Sequence, residues 1–304
     1  MAIAAASLMA ACEKEDDVTP NIKDTSFYFA PNDTCTDEES EIRRQFFNDH
    51  GSYLLFNDTI QHYFVSVDIN GDSAYFTEKL DLAYKIGGAV STSYYYFTLM
   101  KNLERKKAAV EFVEDNILYH FTNALQPFSW LLVNKIYYYN GVNTTNPVAA
   151  SGERAMVLAM QNLARIKTEA QKTNFIQQIL VAIVDKIVVD YSSKFNSFSS
   201  VSSSLYSKYF SGYDDATKQE CLDYLLTKGF LSRGDDPSWG TQKNGYYPSS
   251  STDLSDFAQL VVINDMETIE SEYAKYPIVI QKAKTMVECL ESVGYVFDKE
   301  ETEE

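Results

Sequence analysis

From Thr168 to about Lys194 the chain sets Phe175, Ile179, Ile183 and Ile187 one helical turn apart, so all four share a face. A helix of that length with one apolar stripe must lay the stripe on other elements, and the rest of the fold has to supply them. The final third reads as more helices. One runs from Ala216 to Lys228 and is closed by Gly229, and another spans Leu254 to Tyr273. A third, Ile278 to Val293, has Pro277 at its start and Gly294 at its end. A serine-rich loop, Ser197 to Ser204, separates these from the long helix.

Upstream the pattern is mixed. A first helix is expected from Asp37 to Asn48, opened by Thr36 and closed by Gly51. Strand-like runs follow at Tyr53–Phe56 and Tyr63–Ile69, the second alternating Phe64, Val65, Ser66 and Val67 before an Asn70-Gly71 turn. Helical patterning resumes between Tyr94 and Glu114, Trp130 to Tyr139 reads as one buried strand, and Ala155 to Leu163 fits either strand or helix. The expected fold class is α+β: a mixed N-terminal lobe with a small sheet (about 37–194) and a mostly helical C-terminal lobe (about 195–298). The two make a single domain over 37–298, with no internal repeat. A chain of 304 residues can bury a sizeable core in that form.

The ends read differently. Met1 to Ala11 is apolar and small, and Ala10-Ala11 before Cys12 resembles a lipobox, in which the cysteine is diacylated and becomes the new N-terminus. Residues 1–11 are then a signal-peptide remnant; the usual basic n-region is missing, which suggests a start upstream of Met1. Residues 12–36 form an acidic and polar tether beginning Glu13-Lys14-Glu15-Asp16-Asp17, and 299–304 an acidic tail. An acidic patch just after such a cysteine resembles an export signal of surface lipoproteins, so the expected location is the outer membrane, lipid-anchored through Cys12 and displayed at the cell surface. A chance acidic linker is the competing reading. No later apolar run approaches the ~20 residues that a spanning helix needs.

The formal net charge of −17 argues against nucleic acid as a partner. Of the four cysteines none sits in a CxxC or Cys/His cluster, and Cys221 and Cys289 fall in helical patterns as small buried apolar residues. Clustered tyrosines, Tyr94–Tyr96 and Tyr137–Tyr139, fit either aromatic pairing across a sheet or a surface for glycan or peptide.

Catalytic patterns are thin. His50, His62 and His120 are the only histidines, none in an HExxH or HxH arrangement. Gly-x-Ser-x-Gly, GxGxxG and the phosphate-binding loop are absent. Asp68, Asn70 and Asp72 alternate as calcium ligands do, but Gly71 stands fourth rather than sixth and no bidentate glutamate follows, so they read as a turn. Many carboxylates leave open a paired-carboxylate hydrolysis of sugars.

The segment from Asn196 to Phe297 resembles the zinc-binding metallopeptidase lipoproteins associated with outer-membrane nutrient import. The residues that carry the likeness are Phe198-Ser199-Ser200-Val201-Ser202, Tyr206, Lys228-Gly229-Phe230-Leu231-Ser232, Asp253-Leu254-Ser255-Asp256-Phe257-Ala258-Gln259, and Lys282 to Tyr295. The resemblance implies a zincin-like scaffold in which the long helix takes the position of the family's HExxH helix. Its ligand positions are degenerate here. Ala182 and Lys186 stand for the two histidines, Ile183 for the general-base glutamate, and Ser255 for a third, acidic ligand. Alanine and isoleucine offer no lone pair and a protonated lysine repels a dication, so no metal, cofactor or catalytic residue is carried over. The reading that follows is an inactive, metallopeptidase-like surface lipoprotein that binds a glycan, a peptide or a partner, beside an outer-membrane transporter and its binding lipoprotein. Trp239, Tyr246 and Tyr247 are its candidate ligand aromatics, and packing within their loop explains them equally well. The alternatives are a hydrolase using paired carboxylates on a glycan, an active peptidase if the alignment is wrong, and a purely structural envelope protein.

Overall fold

The computed structural model describes residues 29–31, 33–83, 92–211, 218–234 and 245–297. Cys12, the tether up to 28, Trp239 and the acidic tail lie outside the described residues. The fold is α+β.

Helix α1 (Glu38–His50) starts where the Asp37 carboxylate accepts the Ser40 N–H at 3.0 Å, one residue after the expected Thr36. Acidic Glu38, Glu39 and Glu41 fill its positive first turn, and Gly51 closes it at φ 68°. The central sheet has the order β1 (Tyr53–Leu55), β5 (Ser129–Val133), β9 (Met156–Ala159), β8 (Ala149–Ser151). The first three are parallel and β8 is antiparallel at the edge. Both faces of β5 and β9 are covered, which is why they read as unbroken apolar runs. Trp130, Leu132 and Leu158 face the helical core, whereas Leu131, Val133 and Val157 join Leu55, Ile60 and Leu80 in a second cluster.

Strands β2 (Thr59–Val67) and β3 (Ser73–Lys79) form a separate hairpin. At its tip Asp68 Oδ1 accepts the N–H groups of Asn70 and Asp72, and Gly71 supplies a φ of 87°, so the alternating acids build a turn as expected.

Two sequence expectations fail in the next segment. Tyr94 does not begin a helix: β4 (Tyr94–Thr98) pairs with β6 (Lys135–Tyr139), and β7 (Thr144–Thr145) completes that sheet. Helix α2 (Leu103–Asn116) begins only where Asn102 caps the Arg105 N–H. Nor is Trp130–Tyr139 one strand. It breaks at Asn134, whose N–H donates to Thr98 O at 2.8 Å. Residues before the break are buried on both faces, and those after it, Ile136 apart, are only partly buried. The tyrosine clusters are the two sides of that ladder, with Tyr94, Tyr95 and Tyr96 opposite Tyr139, Tyr138 and Tyr137.

The long helix is α3 (Glu169–Asp190), capped by Thr168, and Phe175, Ile179, Ile183 and Ile187 form its buried stripe as the spacing predicts. The expected serine loop is instead partly helical. Short α4 (Asn196–Ser200) buries Phe198 completely, and Ser202 just after it is also buried. α5 (Lys218–Thr227) ends at Gly229 (φ 79°), and β10 (Tyr209–Phe210) pairs with β11 (Gly245–Tyr246). The expected Leu254–Tyr273 helix is two helices, α6 (Ser250–Ile263) and α7 (Met266–Glu272), because Asp265 caps a new start by accepting the Thr268 N–H at 2.7 Å. Helix α8 (Pro277–Val293) matches its expected limits and ends at Gly294. One apolar cluster runs from Phe46, Leu54 and Trp130 through the α3 stripe to Phe257, Val279 and Met286, so both expected lobes share a core.

Candidate functional site

A groove of about 1020 Å³ opens between α3, the edge strand β8 and the β4–β6 sheet. Its floor is apolar, with Trp130, Met156, Ile183 and Ile187; Tyr95 and Tyr138 stand on one wall; Glu153, Lys186 and Asp190 supply charge at its rim. Lys186 is ion-paired with Asp190, one turn further along α3.

Strand β8 brings backbone to this groove. It pairs with β9 on one side, and among the described residues no strand covers its other side. Gly152 N–H donates to Ala155 O and Ala159 N–H donates to Val148 O. Hydrogen-bonded pairs alternate along an antiparallel ladder, so the peptide groups of Ala149 and Ser151 turn away from β9. Ser151 and Gly152 line the groove. A Cβ at Gly152 would come within 2.9 Å of Leu82 Cα, so only glycine admits that segment against the end of β8.

Of the four positions that the resemblance marks, two lie at the groove. Ile183 and Lys186 line the groove, and Ala182 lies a turn before Lys186 on the same helix. Ser255, on α6, donates its hydroxyl to Asp185 Oδ1 at 2.6 Å. Gln259 reaches the same carboxylate at 3.3 Å. A serine–aspartate–glutamine cluster thus joins α6 to α3, and none of its three residues lines the groove. Among the described residues no three His, Cys, Asp or Glu side chains are grouped to hold a metal ion.

The remaining motif residues converge elsewhere, on a buried cation. Lys282 Nζ donates to Asp253 Oδ1 at 2.7 Å and Oδ2 at 2.6 Å, to Gly229 O at 2.7 Å and to Ser202 Oγ at 3.3 Å. The Lys282 and Asp253 side chains are both 0% exposed. Phe198, Phe230 and Phe257 present their rings to the ammonium at 4.5–4.8 Å. Tyr206 donates its hydroxyl to Asp253 Oδ2 at 2.7 Å, and Ser232 donates to Asp256 nearby. Burial pushes the Asp253 carboxyl up and the Lys282 ammonium down, with their mutual attraction opposing both shifts. Burial likewise raises the Tyr206 phenol and the Asp256 carboxyl. Every segment that carries the family resemblance touches this centre or the Asp185 cluster.

Sequence reasoning named Lys282 within its motif but did not pair it with Asp253. A signal was present: Lys282 interrupts the apolar stripe Val279, Ala283, Met286, Cys289, Leu290 on α8. A charge at such a position needs a partner.

Other expected residues disperse. His50 meets Glu114 at 3.0 Å, His62 stacks on Tyr75 in the hairpin, and His120 bonds Val296 O at 2.7 Å. The three histidines thus belong to separate elements. Tyr247 is not a ligand aromatic: it is buried against Phe210, Phe230 and Tyr224. Tyr246 pairs with Tyr209 in the β10–β11 ribbon, outside the groove lining. Cys221 and Cys289 are buried and free. Comparison with family models, with curated proteins and with solved structures found no match for this chain.

Proposed function

We propose that this chain is a lipid-anchored surface protein whose metallopeptidase-like domain has lost catalysis and retains a groove for an extended peptide. The carrying observation is the groove itself, between the helix that takes the family's HExxH position and a strand with one unpaired edge. The outward peptide group of Ser151, the one of the two that lies at the groove, provides a donor and an acceptor for an added strand, and the apolar floor provides pockets for alternate side chains. Lys186 and its ion-pair partner Asp190 put charge of both signs at the rim, where polar ends of a bound peptide can meet them.

The setting beside an outer-membrane nutrient transporter rests on the sequence resemblance and the lipobox. Capture of the full chain from native membranes in mild detergent tests it. The expected result is stoichiometric recovery of a transporter with its substrate-binding lipoprotein; recovery of the protein alone refutes the import setting.

The alternative, a hydrolase with paired carboxylates, needs a carboxyl with a raised pKa in a cleft. Asp253 and Asp256 are raised by burial, but neither lines the groove. The peptide-binding reading is therefore preferred.

A further inference from the structure

The Lys282–Asp253 pair sets an amine against a carboxyl group in a site that solvent does not reach. The amine nitrogen lies within 2.7 Å of both carboxyl oxygens, neither group touches solvent, and three aromatic rings close the site around them. Gly229 O holds the amine from the far side, and Tyr206 holds one carboxyl oxygen with a hydroxyl donor.

We infer that this site forms an intramolecular isopeptide bond, an amide between Lys282 Nζ and Asp253 Cγ that ties α8 to α6.

The step balances without an oxidant or co-reactant. A proton passes from the ammonium to the carboxylate, leaving a neutral amine beside a carboxylic acid. The nitrogen lone pair attacks Cγ once the carboxyl turns about Cβ–Cγ to present its face. In the tetrahedral intermediate the Tyr206 hydroxyl donates to the oxygen it already holds. One Cγ–O bond then breaks and that oxygen leaves as water, carrying one proton from the acid and one from the nitrogen. Ammonium plus carboxylate become amide plus one water.

Three physical factors favour the forward direction. Fixed contact between the groups replaces a bimolecular encounter, and well-oriented intramolecular pairs reach effective molarities of roughly 10⁵–10⁸ M. A closed aromatic site excludes the water needed for the reverse reaction. Burial also shifts both groups towards their neutral, reactive forms.

The test is peptide mapping by mass spectrometry of the full chain, purified folded and digested after denaturation. The expected product is a branched peptide joining the Lys282 and Asp253 segments, lighter by one water than their sum. It should be absent from Asp253→Ala, and it should accumulate more slowly in Tyr206→Phe followed from fresh synthesis. Only linear Lys282 and Asp253 peptides from folded wild-type protein would overturn the inference, whatever the variants do. Equal rates in wild type and Tyr206→Phe would remove Tyr206 from the step.

Discussion

Replacing Gly229 with alanine should separate two costs that the geometry superimposes at one residue. Gly229 sits at φ 79°, in the left-handed region, and its added Cβ would stand 2.4 Å from Ile278 Cγ2. Placing an L-residue in that conformation costs about 1–2 kcal/mol. Forcing a methyl into occupied space costs about 1–3 kcal/mol. Together the expected loss is roughly 2–5 kcal/mol, a large share of the 5–15 kcal/mol typical of a folded domain. The two parts respond differently to a second change. Ile278 is partly exposed, so Ile278→Ala alone should cost little; combined with Gly229→Ala it should return the steric part and leave about 1–2 kcal/mol of backbone strain. Urea unfolding followed by far-ultraviolet circular dichroism gives all three differences. A loss below about 1 kcal/mol for Gly229→Ala, or no recovery in the double variant, would refute the reasoning.

Other perturbations give distinct outcomes. Lys282→Met strands a buried carboxyl with Tyr206 as its remaining donor, so Lys282→Met with Asp253→Leu, which removes the stranded group, should be more stable than Lys282→Met alone by about 3–5 kcal/mol; the urea midpoints of the two variants decide. Asp37 and Asp265 are held below the ordinary 3.8, chiefly by the Ser40 hydroxyl and by the Thr268 N–H respectively. Their folded values are depressed, so the caps contribute fully above the unfolded value and that contribution is lost as pH falls through the folded one. The stability gap between wild type and Asp37→Ala should therefore be constant near neutrality and close below pH 3.8. Zinc content by elemental analysis of protein purified without added metal should be far below stoichiometric; one zinc per chain would restore the active-peptidase reading.

Much of the helical architecture was legible because its signals are local. The four-residue spacing on α3, Pro277 and Gly294 around α8, and Gly51 after α1 act within a turn or two of chain, and each gave the right element. The failures came where distant partners decide. A helical run from Tyr94 to Glu114 starts too early, because Tyr94 to Thr98 is strand-prone and pairs with Lys135 to Tyr139. Asn134 breaks an apolar run because one half belongs to a covered parallel sheet and the other to a half-exposed one. Asp265 ended a helix that its apolar pattern alone would have continued.

The candidate site divides the same way. The resemblance names Ala182, Ile183, Lys186 and Ser255, but it does not show that Ser255 bonds to Asp185 across α6 and α3 while Ile183 and Lys186 line the groove. Sequence order also hides the groove, since β8 precedes β9 in the chain and yet lies outside it in the sheet. An edge strand becomes recognisable only once the pairing is known. For Tyr247, packing and ligand contact fitted the sequence equally well, and the fold decides for packing, since the ring fills a small core with Phe210 and Phe230.

The central claim is that the groove holds an extended peptide and leaves it whole. The direct measurement is to incubate the full chain with a pool of short unstructured peptides, separate protein from unbound material, and identify by mass spectrometry what was retained. Wild type should keep a subset of peptides intact, and Ser151→Pro, which removes an outward N–H of β8 without touching the β9 ladder, should lose them. Cleaved peptides, or equal retention by wild type and Ser151→Pro, would contradict the account.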